Sequence, residues 1–243
     1  MKSVKKVACA VCATLFAVSA FAQQNNRSEE SADSAYLSSI EDLVITELAG
    51  SEELDNKLVA LNYLEAAIEE GRTSPDMMVA LDQLAGEGIN TQSRTNGHLM
   101  NNFPQVRAAA CDLLGKVPTE ESKTTLKKIA LADNEPMVIT AAVRALGDIG
   151  LNDNDDAVDT IAWVSQKNLY VNPTSSLALE VIIAYEKLAD KVENKSAMLQ
   201  SVNKIAANHL FVSSVRNRAK ELSKKLATGG GSSSSNKNSG NAK

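Results

Sequence analysis

The chain has 243 residues, of which 44% are hydrophobic and only 4% aromatic, and its formal net charge is −5 at pH 7. A chain of this length usually forms one or two domains, although a repeat protein of the same length can have one continuous core. The acidic balance, together with the export signal that follows, makes nucleic acid a poor candidate partner.

The first 22 residues have the composition of a signal peptide. Three of the first six residues are lysine, residues 7–18 form an apolar run, and Ala20-Phe21-Ala22 is an A-x-A cleavage site. The run is shorter than the roughly 20 apolar residues that span a bilayer. We therefore predict cleavage after Ala22 and export to the periplasm or cell envelope, with no transmembrane segment in the mature chain. An uncleaved membrane anchor is the alternative.

Residues 23–34 are polar and acidic, and we predict that they are disordered. Helical periodicity begins near Ala35 and stops at Gly50. A second helix follows from Ser51 to about Gly71, and Ser74-Pro75 is a start signal for a third helix that continues through Ala85.

Residues 87–103 interrupt this rhythm with a polar insert of little periodicity. Structureless loops longer than about 12–15 residues are uncommon unless they are functional or disordered. We therefore predict that Arg94, His98 and Asn102 contact a binding partner. The alternative is that the insert only covers the seam between two repeats.

The strongest internal repeat follows the insert. Residues 104–117 recur at 136–149, 32 residues later, with six of 14 aligned positions identical. Each copy begins with a proline, which suits the first turn of a helix, and carries apolar residues at helical spacing. The pattern predicts that Leu114 and Leu146 face the core, and that the glycines at 115 and 147 permit a turn with positive φ.

Further helices are predicted on both sides of the second copy. Residues 120–132 supply the intervening helix, and Asn152–Asp156 opens a helix containing Trp163. The Asn/Asp run resembles the start of a calcium loop but lacks its glycine and its final glutamate, which favours helix capping. Pro173 marks a further repeat, and two more helices precede a Gly/Ser/Asn-rich tail at 228–243, which we predict to be flexible.

Helix pairs repeating with a period in the thirties are typical of an α-solenoid. The prediction is an all-α fold in which residues 35–227 form about five helix pairs, or about ten helices. Val106-Arg107 followed by Ala110 and Leu113-Leu114-Gly115 resembles HEAT repeats, as does Leu131-x-Asp133-x-x-Pro136-x-Val138. The short bacterial variety found in phycobilisome lyases is the most similar.

The resemblance implies a helical scaffold that mediates protein–protein interaction, with a lyase-like or ligand-handling protein as the alternative. Trp163 and Tyr170 are further candidate partner-binding residues. The only two histidines lie far apart in the sequence, and a single cysteine, Cys111, follows the signal peptide. We therefore predict no disulfide, no metal or cofactor site and no catalytic residues.

Charge is distributed unevenly along the chain. Residues 29–55 contain nine acids and no base, whereas residues 191–243 contain ten Lys or Arg and two Glu. This asymmetry is compatible with two solvated ends. It also suggests self-association between the acidic N-terminal end of one copy and the basic C-terminal end of another, as in a self-assembling envelope element.

Overall fold

The computed structural model describes residues 33–90 and 92–228, which form ten α-helices and one short β-hairpin. The predicted signal peptide, most of the acidic segment after it and the tail from residue 229 onward lie outside these ranges. Helix α1 covers residues 33–50. The other helices are α2 (Leu54–Glu69), α3 (Pro75–Ala85), α4 (Pro104–Gly115), α5 (Glu120–Ala132), α6 (Pro136–Ile149), α7 (Asp156–Val171), α8 (Ser175–Leu188), α9 (Ser196–Ala207) and α10 (Ser213–Thr228).

The chain divides into two compact units, Met1–Val44 and Ile45–Lys243. The described part of the first unit consists of residues 33–44, which are helical. The second unit contains the rest of α1 and all the later elements. No helix in the described ranges is long and apolar enough to cross a membrane.

Within the second unit the helices lie in two rows. Helices α2, α4, α6, α8 and α10 pack side by side and form the even row, while α3, α5, α7 and α9 form the odd row. Each odd helix also contacts one or more even neighbours, so the core is continuous between the rows. This stacking of successive helix pairs confirms the predicted all-α solenoid.

The helix starts follow the signals in the sequence. Pro104 and Pro136 occupy the first position of α4 and α6, where a missing N–H costs no hydrogen bond. Thr119 caps α5, because its hydroxyl accepts a hydrogen bond from the Ser122 N–H. Asn152 accepts one from the Val158 N–H at 3.1 Å. The Asn/Asp run therefore supports the start of α7, as predicted.

The core consists of aliphatic side chains from both rows. Leu114 and Leu146, at equivalent repeat positions, are each 1% exposed, as their helical register predicted. Cys111 is also completely buried, and this burial raises the pKa of its thiol far above the ordinary value. The thiol is therefore a packing group with little thiolate character.

Two glycines in the repeats do not have the role that the sequence suggested. Gly115 and Gly147 lie within helices, and neither has a positive φ. A Cβ on Gly115 would lie 2.9 Å from the Cβ of Ala145, and a Cβ on Gly147 would lie 2.7 Å from the Cα of Ala184. The glycines thus allow successive even-row helices to approach closely, and Gly150, with φ +65°, makes the turn after α6 instead.

Ion pairs cross the same helix–helix contacts. The Arg144 guanidinium of α6 donates to the Asp112 carboxylate of α4 at 3.0 Å and to Glu180 of α8 at 3.4 Å. Arg218 of α10 donates to Glu186 of α8 at 2.6 Å. These side chains are partly exposed, so each pair contributes at most about 1 kcal/mol.

The insert is more ordered than its composition suggested. Strands β1 (Arg94–Thr95) and β2 (His98–Leu99) pair antiparallel around a turn at Asn96-Gly97. Both turn residues have positive φ, 52° and 83°, as a type I′ hairpin requires. The insert is therefore a hairpin that projects between α3 and α4.

Candidate binding surface

The second unit has two long edges, each formed by a set of turns. The turns that lead from odd-row to even-row helices, including the insert, lie at one edge, which we call the apolar edge. The turns that lead from even-row to odd-row helices lie at the other, the polar edge. Successive even-row helices run in the same direction, since Gly115 and Gly147 near two helix ends contact Ala145 and Ala184 near the ends of the next ones.

Exposed hydrophobic side chains are concentrated at the apolar edge. Twelve large hydrophobic residues of the second unit are exposed; five of them lie within α2, α3 and α7, and seven lie within or beside the turns of the apolar edge. These seven are Met100, Leu131, Met137, Tyr170, Val171, Leu210 and Val212. Single exposed apolar residues are ordinary on protein surfaces. Their recurrence at each turn of one edge, from the insert to α10, distinguishes this edge from the polar edge.

The polar edge differs in both composition and bonding. In the described chain, none of the exposed large hydrophobic residues lies at its turns. The Lys123 ammonium there contacts Glu120 at 2.7 Å and Asp153 at 2.9 Å, and Lys191 donates to the Gly150 carbonyl at 2.7 Å. The polar groups of this edge thus bind one another and join successive turns.

Asp155 is a buried carboxylate at the polar edge. Its carboxylate accepts hydrogen bonds from the Glu193 and Asn194 N–H groups, at 2.9 and 2.7 Å, and from the Asn152 amide. Burial raises the pKa of Asp155, but these hydrogen bonds outweigh it and hold the pKa below the usual value. The carboxylate thereby fixes the turn before α7 to the turn before α9.

The charged groups at the turns of the apolar edge include Arg94, Arg216 and one exposed carboxylate, Glu135. Arg94 donates to Gln92 and to the Gly97 carbonyl, and Arg216 donates to the Ser213 hydroxyl, which are all neutral acceptors. Among the residues that the structure describes, no carboxylate forms a salt bridge with either guanidinium. Both histidines, His98 and His209, are also exposed at this edge.

The insert is fastened to the solenoid at its base. The buried Glu87 carboxylate accepts from the Lys57 ammonium at 2.7 Å and from the Asn101 amide at 2.6 Å. Arg107 donates to the Glu87 carbonyl and to the Asn102 side chain, and it pairs with Asp133 at 2.7 Å. These buried contacts hold the base of the hairpin while its tip stays exposed.

Four of the five residues that the sequence predicted to bind a partner lie on the apolar edge, three in the insert and one at the end of α7. Arg94 and His98 lie on the hairpin and Asn102 lies at its base, where its oxygen is engaged by Arg107. Tyr170, which is 80% exposed, lies at the end of α7 on the same edge. Whether any of them contacts a partner remains a prediction.

Trp163 is the fifth predicted residue and does not lie on the apolar edge. It occupies the middle of α7, 53% exposed, beside a groove of about 250 Å³ between α7 and α9. The Lys167 ammonium lies 5.5 Å from its ring centroid, within cation–π range. The ring therefore already has a partner on its own helix.

The sequence pattern did not identify the aliphatic residues of the apolar edge as binding residues. Met137 directly follows Pro136, and Leu131 falls outside the buried stripe of α5, so neither fits the core-facing pattern. This departure from the core-facing pattern is the sequence feature that could have identified these residues as exposed.

In the described ranges, no group of His, Cys, Asp and Glu side chains is arranged to hold a metal ion.

Comparison with known families agrees with the helical architecture. Residues 98–167 match the family model for HEAT repeats. The matched segment runs from β2 into α7 and includes the two strongest repeat copies. No curated protein matches the sequence. Residues 98–167 are thus similar to HEAT repeats and lie within an all-α solenoid, and such repeats commonly serve as helical scaffolds for protein interaction.

Proposed function

We propose that the protein is an exported, non-enzymatic HEAT-repeat scaffold that binds a protein partner in the periplasm or cell envelope through its apolar edge. The observation that carries this proposal is the row of exposed hydrophobic residues at successive turns of that edge. Partner binding would remove these side chains from water, which is the main favourable contribution in most protein associations.

The proposed location rests on the basic start, the apolar run and the A-x-A site at Ala20–Ala22. Mass spectrometry of the native protein from the envelope fraction should show a chain that begins at Gln23. An intact Met1 or a lipid on a cysteine would contradict this part of the proposal.

The binding role can be tested with a photo-crosslinking amino acid at single positions. Placed at Met137 or Val212, it should crosslink to one protein with a constant ratio of partner to scaffold. Placed at Glu121, an exposed position at the polar edge, it should not. Equal crosslinking at all three positions would contradict a specific apolar-edge interface.

The insert offers a second test of the same interface. The Arg94→Ala/His98→Ala variant should weaken partner binding and leave the melting temperature nearly unchanged, because both side chains are exposed. Loss of stability without loss of affinity would make the hairpin a structural element only.

A ligand-handling role similar to that of the phycobilisome lyases is the second candidate, and the groove beside Trp163 is the observation that favours it. The absorption spectrum and native mass of the purified protein distinguish the two. A bound chromophore or small molecule, lost in Trp163→Ala, would support the second candidate.

A further inference from the structure

Helix residues 33–44 carry an apolar stripe that is exposed to solvent. Its exposed members are Tyr36, Leu37, Ile40, Leu43 and Val44, and their exposed fractions range from 42% to 67%. They recur at intervals of three and four residues, so they share one face of the helix. An amphipathic helix with such a face is a frequent ligand of apolar surfaces in other proteins.

This stripe lies in the most acidic part of the chain. Residues 29–55 contain nine carboxylates and no Lys or Arg. The apolar edge has the opposite character, because Arg94 and Arg216 form no salt bridge within the described ranges and both histidines are exposed nearby. The helix itself carries Asp33, Glu41 and Asp42, of which Asp42 is buried, and no base. The turns of the edge carry these two arginines and one exposed carboxylate, Glu135, so the two surfaces match in polarity and differ in the sign of their net charge.

The distance between successive turns of the apolar edge matches the distance between apolar residues along the helix. Neighbouring packed helices lie about 8–10 Å apart, so successive turns along one row are separated by a similar distance. Seven residues of an α-helix rise about 10.5 Å. Tyr36 and Leu43 are seven residues apart, as are Leu37 and Val44. One helix lying along the edge can therefore place an apolar residue at each of two successive turns.

We propose that residues 33–44 of one copy dock on the apolar edge of a second copy of this chain. The inference rests on the proposed function, because it takes the apolar edge as the binding surface and names an occupant for it. The interface joins two different surfaces, so each bound copy still offers one free helix and one free edge. Such head-to-tail contacts produce rings or open filaments.

The mass of the full processed protein should rise with concentration in sedimentation experiments. It should fall as salt is added, since screening weakens the attraction between exposed charges. Two variants test the surfaces separately: Leu37→Glu/Val44→Glu in the helix and Met137→Glu/Tyr170→Glu at the edge. Each variant should weaken self-association, raising its dissociation constant Kd at least tenfold. Trp163→Glu, an equally exposed position away from the edge, is the matched control and should not.

Mixing the two variants gives the decisive result. The helix variant retains an intact edge and the edge variant retains an intact helix, so together they should form a 1:1 dimer that grows no further. Unchanged association of either variant alone, or no dimer in the mixture, overturns the inference. All substituted side chains are exposed, and unchanged melting temperatures would show that the variants are folded.

The same variants separate this inference from the proposed function. A monomeric mass at every concentration, combined with loss of crosslinking to a different protein in the edge variant, overturns self-association and leaves the scaffold role standing. A monomeric mass with no crosslinked partner at Met137 or Val212 would contradict both the self-association and the scaffold role.

Discussion

Gly147 of α6 lies directly against Ala184 of α8, so close that a Cβ on the glycine would be 2.7 Å from the alanine Cα. Gly115 and Ala145 repeat this relationship between α4 and α6. In both pairs the glycine is the twelfth residue of its helix and the alanine the tenth of the next even-row helix. The Leu-Gly of the repeat motif thus sets the distance between successive even-row helices.

Gly147→Ala should therefore destabilise the protein, although alanine is the better helix former by up to about 1 kcal/mol. Overpacking of a tight contact typically costs about 1–3 kcal/mol, and here the obstacle is backbone. Urea unfolding monitored by circular dichroism measures the change.

Gly50→Ala is the control for this prediction. A Cβ there would meet only the Gln83 side chain at 3.9 Å, which is an ordinary contact. The control should be neutral or slightly stabilising. Equal effects of the two substitutions would mean that the close approach of α6 and α8 does not determine stability.

The core can be tested at the equivalent repeat positions. Leu146→Ala removes a side chain that is 1% exposed and should cost about 2–5 kcal/mol, as other buried leucine truncations do. Because each helix pair packs on its neighbours, hydrogen exchange should also accelerate in α4 and α8. Leu131→Ala, at an exposed leucine, should change the unfolding free energy by less than about 0.5 kcal/mol. A similarly small loss at Leu146 would contradict the described packing.

The sequence predicted the parts of the fold that depend on local pattern. The 32-residue recurrence and the helical spacing of Leu114 and Leu146 located the helix pairs, since one apolar face must be buried in each repeat. The role of Gly147 was not predictable in the same way, because a close approach depends on the residue opposite, Ala184, which lies 37 positions away in a weakly similar repeat.

The binding surface was predictable only in part. Asn96-Gly97 is a strong hairpin signal that periodicity alone did not bring out, because the flanking strands are only two residues long. Met137 and Val212 have no sequence relationship to each other. They share an edge only because the helix pairs stack in register, which is a property of the assembled fold.

The buried Lys57–Glu87 pair anchors the insert, and breaking one side of it should be costly. Glu87→Gln leaves the Lys57 ammonium buried without a counter-charge and should reduce the unfolding free energy by about 3–5 kcal/mol. Lys57→Met in the same chain should restore part of that loss, since the unpaired charge is then removed. Denaturant unfolding of the single and double variants gives the interaction free energy between Lys57 and Glu87.

Lys116→Gln is the comparison for the buried pair. Lys116 contacts Glu65 at 2.8 Å, but both side chains are about half exposed, and loss of such a pair costs at most about 1 kcal/mol. If Glu87→Gln were no more harmful than this substitution, the base of the insert would not depend on the buried charge pair.

Asp155 should make stability depend on pH. Its folded-state pKa is lowered, so its stabilising contribution is fully present above the unfolded pKa of about 3.9 and is lost as the pH falls through the folded value. Asp155→Asn removes the charged acceptor of the Glu193 and Asn194 N–H groups, which is worth about 1–3 kcal/mol. Asparagine also tolerates the φ of +61° at this position, so the substitution adds little backbone strain.

The difference in unfolding free energy between the natural protein and Asp155→Asn should therefore be largest near pH 6. It should shrink below about pH 4, as the carboxyl of the natural protein becomes protonated. Asp190→Asn removes the same charge from an exposed side chain in the adjacent turn, and its difference from the natural protein should be smaller at pH 6. If the difference in unfolding free energy between the natural protein and Asp155→Asn stayed constant from pH 6 to pH 3, the carboxylate charge would not be what holds the two turns together.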